Sequence, residues 1–161
     1  MTSCHNHQHC IDDAMNNARN LCIEKGTRLT ALREQVLALV WQSHKPLGAY
    51  DLIDMLAEAS GRRIAPPTVY RALDFLLGMK VIHRINSLNA YIGCPSPSTD
   101  HPNYFLICTQ CHTASECNDA TLCQHIEQLG QQQQFEIQQQ WLEILGCCQE
   151  CQTTASTETR E

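Results

Sequence analysis

Aromatic residues are scarce in this 161-residue chain, at 6% of the total, and no run of eighteen apolar residues occurs in it. The second shortage excludes a membrane-spanning helix. The first thirty residues hold no basic start followed by an apolar stretch, so no secretory signal is expected and the cytoplasm is the default compartment. Signatures of common enzyme classes are missing too. There is no G-x-G-x-x-G, no G-K-[ST], no H-E-x-x-H and no P-C-x-x-C of a zinc deaminase, so the chain is not expected to be an enzyme. Positive charge is short in one half. Residues 1–84 carry ten Lys and Arg against eight Asp and Glu, a net +2, whereas residues 85–161 carry one against nine, a net −8. Such a split points to two modules with different partners, the first able to approach a polyanion.

Cysteine, by contrast, is abundant: eleven are present, together with eight histidines. In a reducing compartment their usual roles are metal ligand, redox centre or buried small hydrophobe rather than disulfide framework. The opening ten residues, MTSCHNHQHC, hold Cys4, His5, His7, His9 and Cys10. They precede the first periodic segment and carry no core residue, so they read either as a flexible tail or as an accessory zinc site.

Hydrophobic spacing predicts four helices in the first half. Ile11, Met15, Ala18, Leu21 and Cys22 recur at helical intervals up to Gly26, the usual residue past a helix C-terminus. In "TRLTALREQVLALVWQS", Thr30 is the candidate N-cap, and Leu32, Val36, Leu39 and Val40 form the buried stripe. "GAYDLIDMLAEAS" turns Leu52, Ile53, Leu56 and Ala59 to one side and stops at Gly61. "IAPPTVYRALDFLLGMK" has the sharpest boundaries, with two prolines at its start and Gly78 at its end. Val69, Leu73, Leu76 and Leu77 make its apolar face, leaving Thr68, Tyr70, Arg71 and Asp74 on or near the other side. The period then changes. "VIHRI" and "AYIGC", joined by "NSLN", predict a β-hairpin. Helices followed by a hairpin, the last helix best capped, is the order of a winged helix-turn-helix, whose last helix enters the DNA major groove.

"PSPSTDHPN" is a linker. Beyond it, "YFLIC" and "TASEC" predict two strands around a CTQC turn, and "DATLCQHIEQLG" a helix ended by Gly130. "FEIQQQWLEIL" reads as one or two strands, with helix as the alternative. The expected organisation is a tail over 1–10, a winged helix over 11–94, a hinge over 95–103, a second α/β domain over 104–152 and a disordered tail over 153–161.

Two Cys-x-x-Cys pairs, Cys108/Cys111 and Cys148/Cys151, lie in the second domain. Each turn can present two thiolates at the zinc–sulfur distance of about 2.3 Å, and two turns close a tetrahedron with no open position, which is a structural site. Iron also fits four thiolates, and two unrelated redox or buried pairs is the remaining alternative. A second group is His83, Cys94, His101 and Glu116. Singly these could be a wing residue, a buried thiol, a linker histidine and a solvated strand charge, but all lie where the two modules meet in sequence. Cys22, Cys117 and Cys123 read as buried or spare thiols, and Cys147 falls outside the x-x spacing.

The ordered string "RLTALR", "AYDLIDML", "PPTVYRALDFLL", "VIHRINSLNAYIGC" and the two Cys-x-x-Cys pairs resembles the ferric uptake regulator superfamily, most closely its zinc uptake regulator branch. The resemblance spans roughly residues 18–151. It implies an N-terminal winged helix on palindromic double-stranded DNA and a C-terminal α/β domain that forms a homodimer. It implies a repressor of zinc-uptake genes with two zinc ions per monomer. One is structural, on Cys108, Cys111, Cys148 and Cys151; the other is regulatory, on His83, Cys94, His101 and Glu116. Iron(II) or manganese sensing is the alternative, and a zinc-storage or carrier protein a more remote one. Cys94 favours zinc, because iron(II) and manganese prefer nitrogen and oxygen donors. For DNA the resemblance singles out Tyr70 and Arg71. Arg71 can read guanine bidentately and Tyr70 can touch a thymine methyl or a phosphate, while Thr68, Arg28 and Arg33 suit phosphates.

Overall fold

The computed structural model describes residues 7–42, 45–97 and 103–158. The chain divides into two compact units, Met1–Thr99 and Asp100–Glu161. No helix among the described residues is long and apolar enough to cross a membrane.

In the N-terminal unit, α1 (His7–Glu24) buries Ala14, Ala18 and Cys22 along one side. It ends where Gly26 takes a φ of 61°, a left-handed conformation that a side chain would strain. The Thr27 N–H then reaches back to the Cys22 carbonyl at 2.8 Å. Helix α2 (Ala31–Trp41) starts after an extended Thr30 and buries Val36, Leu37 and Val40. A two-residue strand, β1 (Leu47–Gly48), leads into α3 (Ala49–Ser60). There the Gly48 N–H donates to the Asp51 carboxylate at 3.1 Å, and Gly61 closes the helix at φ 64°. Helix α4 (Pro66–Gly78) carries its prolines in the first two positions and buries Val69, Ala72, Leu73 and Leu76. Strands β2 (Ile82–Ile85) and β3 (Ala90–Gly93) pair antiparallel, Ile82 opposite Gly93 and His83 opposite Ile92. β1 adds to the far side of β3. One core joins all of these elements, and each Val or Leu buried in it contributes about 1.5–3 kcal/mol. The order of helices and hairpin is that of a winged helix.

In the C-terminal unit, β4 (Asn103–Cys108) and β5 (Ala114–Glu116) form an antiparallel hairpin. Helix α5 (Ala120–Gln132) is capped by Asp119, which accepts from the Thr121 and Leu122 N–H groups at 2.8 and 2.9 Å. The chain returns through α5 so that β6 (Trp141–Gly146) lies parallel to β4, as a crossover requires. The sheet order is β5-β4-β6, and Tyr104, Phe105 and Ile107 are buried on β4. Helix α6 (Gln149–Glu158) follows.

Four features differ from the expectations drawn from sequence. Helix α1 begins at His7, so His9 and Cys10 sit in a helix and not in a tail ending at residue 10. Helix α5 runs past Gly130 to Gln132. A Cβ on Gly130 would stand 2.8 Å from Cδ1 of Ile137, so this glycine permits a close approach and does not stop the helix. Of "FEIQQQWLEIL", only Trp141 onward is strand. Helix α6 continues to Glu158 through part of the segment expected to be a tail.

Candidate metal centre and nucleic-acid interface

The parallel register of β4 and β6 puts Cys108 level with Gly146. The Thr109 N–H bonds the Gly146 carbonyl at 2.8 Å, so the chain leaving β6 passes directly beside the CTQC turn. That turn is tight. The Cys108 N–H reaches the Thr113 carbonyl and the His112 N–H the Cys108 carbonyl, both at 3.0 Å, with His112 in the left-handed region at φ 59°. Cys148 then comes two residues after β6 and Cys151 in the first turn of α6. The Cys148 N–H donates to the Cys108 sulfur at 3.3 Å, and the Cys111 and Cys148 sulfurs lie 3.7 Å apart. All four sulfurs of Cys108, Cys111, Cys148 and Cys151 fall within 4.8 Å of one another.

The surroundings already favour thiolates on the first turn. Backbone N–H groups of Cys111 and Cys148 pull the Cys108 thiol down to about 5. The Thr113 hydroxyl, 3.2 Å from the Cys111 sulfur, lowers that thiol as well. Hydrogen bonding to Cys148 raises Cys151, the expected response when neighbouring sulfurs share protons. Four sulfur donors with no oxygen donor among them fit zinc in a closed, structural site. Cys147 is exposed and stands outside the cluster.

A second pair of ligand types is built into the wing. His83 and Cys94 project from the same face of the β2–β3 hairpin, and their ligand atoms lie within 4.8 Å. Both are buried, His83 to 8% and Cys94 to 2% exposure, and the Cys94 N–H donates to the Val81 carbonyl at 3.0 Å. Glu116 ends β5 in the C-terminal unit, opposite Phe105. His101 lies outside the described residues, as do Cys4, His5 and the side chain of His7. On α1, His9 is exposed and Cys10 half-buried.

The solvent side of α4 carries Thr68, Tyr70, Arg71 and Asp74, all exposed, while Val69, Ala72 and Leu73 face the core. The prolines limit what the helix end can offer an anion. Pro66 and Pro67 have no N–H, and the Thr68 N–H is bonded to the Ala65 carbonyl at 2.9 Å. A phosphate there would meet the Thr68 hydroxyl, with few free backbone donors. Arg28 is exposed. Arg33 is already engaged: its guanidinium stacks 3.4 Å from the centre of the Phe75 ring and donates to the Arg28 carbonyl at 2.6 Å. Sequence reasoning missed three exposed arginines. Arg62 and Arg63 precede α4. Arg84 on the wing holds the Asn89 side chain at 2.8 Å and offsets in part the burial that raises the Tyr91 phenol, a group that also feels Tyr70 and Asp74 of α4. Arg62 and Arg63 stand just ahead of α4 and Arg84 in the hairpin, a placement readable in the sequence.

A model of the ferric uptake regulator family matches residues 24–145. The zinc uptake regulation protein of Escherichia coli (strain K12) is 33% identical over 135 residues, which is 83% of this chain and 78% of that relative. A solved zinc uptake regulator complexed with zinc and DNA superposes with a TM-score of 0.85 at 31% identity, covering 91% of this chain and 97% of that one. The crystal structure of holo XcZur gives a TM-score of 0.78 at 40% identity, covering 86% and 96%. With its winged helix, its four-cysteine cluster and these relatives, the chain belongs to the ferric uptake regulator family.

Proposed function

We propose that this protein is a zinc-responsive transcriptional repressor of zinc-uptake genes that acts in the cytoplasm as a homodimer on palindromic operators. The observation that carries this reading is the buried His83–Cys94 pair in the wing. It is an imidazole and a thiolate donor set suited to zinc, placed within the unit that bears the recognition helix. Two zinc ions per monomer are expected. Cys108, Cys111, Cys148 and Cys151 hold the first, and His83, Cys94, His101 and Glu116 hold the second. Bound zinc supplies cross-links between its ligands and, in these closed sites, no reaction.

The remaining work falls to the chain's own residues. Arg71 donates its forked N–H groups to a guanine edge, and Tyr70 packs against a thymine methyl or a phosphate beside it. Thr68, Arg28, Arg62, Arg63 and Arg84 meet phosphates that set the register of α4 in the groove. Arg33, stacked on Phe75, holds the start of α2 against α4 and so orients the reading face. Dimerisation uses the open edge at β6, where Trp141, Ile144 and Leu145 are exposed and Leu106 stands opposite Ile144, a surface that otherwise invites uncontrolled pairing. Because His83 and Cys94 belong to one unit and Glu116 to the other, occupancy of all four ligands restricts how the two halves are oriented. A dimer needs that restriction to present two recognition helices about one DNA turn apart. Shifting a population from 1:99 to 99:1 takes about 5.5 kcal/mol of differential affinity.

The test is zinc stoichiometry together with zinc-titrated retention of a palindromic promoter fragment. Two ions per monomer are expected, one tight and one coupled to DNA binding. Cys94→Ser should yield a folded dimer with the first zinc in place and no zinc-dependent binding. DNA retention indifferent to zinc in the unmodified protein would remove the sensor role.

A further inference from the structure

The indole of Trp41, the last residue of α2, occupies the space beside Gly93, the last residue of β3 and the neighbour of Cys94. A Cβ built on Gly93 would stand 2.7 Å from indole Cδ2 and closer still to Nε1 and Cε2. Gly93 has no positive φ, so the backbone does not require glycine there; the ring requires the space. The indole Nε1 is buried and finds no hydrogen-bond partner among the described residues. Among the described residues the ring is therefore held by shape and not by a polar anchor.

From this contact we infer that Trp41 is a positioning residue for the second zinc site, setting where the Cys94 sulfur stands relative to the His83 imidazole. The inference rests on the second site proposed above and adds a residue that is not itself a ligand. Three restraints converge on the end of β3. Gly93 is paired with Ile82, the Cys94 N–H is bonded to the Val81 carbonyl, and the indole caps Gly93 from α2. The first two fix the strand within the sheet. The indole fixes its distance from the helical core, because α2 buries Val36, Leu37 and Val40 in the cluster that also holds Val69, Leu73 and Leu76 of α4. The ligand-bearing strand end is thereby keyed to the same core as the recognition helix. A glycine that vacates room and a ring that fills it form a matched pair, and enlarging the glycine alone must displace either the ring or the strand end that carries Cys94.

The matched pair suggests a three-variant test in the full-length protein carrying its first zinc: Gly93→Ala, Trp41→Phe, and the two combined. Second-site affinity is read by chelator competition, and the Cys94 bond by the cobalt(II)–thiolate charge-transfer band of the second site. Gly93→Ala should weaken the second zinc by about tenfold or more, the range seen when groups that orient metal ligands are altered, with the first zinc retained and the charge-transfer band reduced. The smaller ring of Trp41→Phe in the Gly93→Ala background should recover part of both losses. Gly93→Ala that lowers the melting temperature yet binds the second zinc like the unmodified protein would reduce the contact to ordinary packing and overturn the inference. The same holds if Trp41→Phe gives no recovery. If the unmodified protein takes up no second zinc, the proposed sensor and this inference fall together, which distinguishes that failure from the first.

Discussion

The N-terminal unit assembles sixteen buried side chains from α1 to α4 and the wing into one continuous cluster. The described part of the C-terminal unit buries far fewer apolar groups, chiefly Tyr104, Phe105, Ile107 and Ala114 of a three-stranded sheet. The first closes around a largely aliphatic core drawn from every one of its helices. The second, at about sixty residues, is of the size that needs a staple, and four sulfurs gathered at one end of β4 and β6 supply the place for one. Two ways of closing a small core therefore sit in one chain. On the function proposed above, the difference also separates two uses of metal: ligands that would complete a fold, and a buried pair in the wing set among the N-terminal unit's own core.

The largest effect should come from removing the staple. Cys108→Ser is expected to abolish the first zinc and unfold the C-terminal unit, since structural zinc contributes on the order of 10 kcal/mol or more. Zinc analysis with residue-resolved hydrogen exchange would show protection kept in α2 to α4 and lost in β4 to β6. An unchanged melting profile would mean that the sheet stands without its sulfurs. Leu73→Ala, by contrast, should cost the N-terminal unit about 2–5 kcal/mol through the cavity it leaves, read in denaturant titration with zinc content unchanged. A shift in zinc content with no loss of stability would erase the distinction between the units. Arg71→Ala touches neither core. It should weaken operator binding by about 1–3 kcal/mol in a gel-shift titration while the melting temperature stays fixed, and equal losses on specific and random DNA would reassign Arg71 to a phosphate. The smallest effect is expected at Gly61, where φ is 64°. Gly61→Ala should destabilise by about 1 kcal/mol through left-handed strain, and a stabilised protein would contradict that backbone assignment.

Much of the N-terminal unit was legible because its signals are local. Gly26, Gly61 and the Pro66–Pro67 pair mark helix ends through the chemistry of one or two residues, whereas Thr30 takes the N-cap position without a side-chain hydrogen bond. The apolar spacing of α2 and α4 reports most of the buried face but misses Leu37, which is buried while Leu32 and Leu39 are half-buried. Strand β1 was not legible, since two residues carry no period and Leu47–Gly48 is defined only by its partners Tyr91 and Ala90. Gly130 misled for a related reason: a glycine that stops a helix and one that admits Ile137 look alike until the packing is known. Arg33 was read as a phosphate contact, and nothing in its neighbourhood in sequence announces the ring of Phe75, 42 positions away. Trp41 and Gly93 escaped altogether, because a ring and a vacancy 52 residues apart share no pattern.

The sequence by itself determined the residue types that chemistry demands: four thiols in two Cys-x-x-Cys turns, a histidine and a cysteine in one hairpin, and arginine and tyrosine outward on a helix opened by two prolines. These follow from spacing, which the chain carries within each segment. The tertiary structure decided which distant segments meet. The parallel register of β4 with β6 brings Cys148 to Cys108, and the seat of Trp41 over Gly93 fixes the strand end next to Cys94. Those pairings depend on long-range burial and steric fit, which come into being only when the chain has closed on itself.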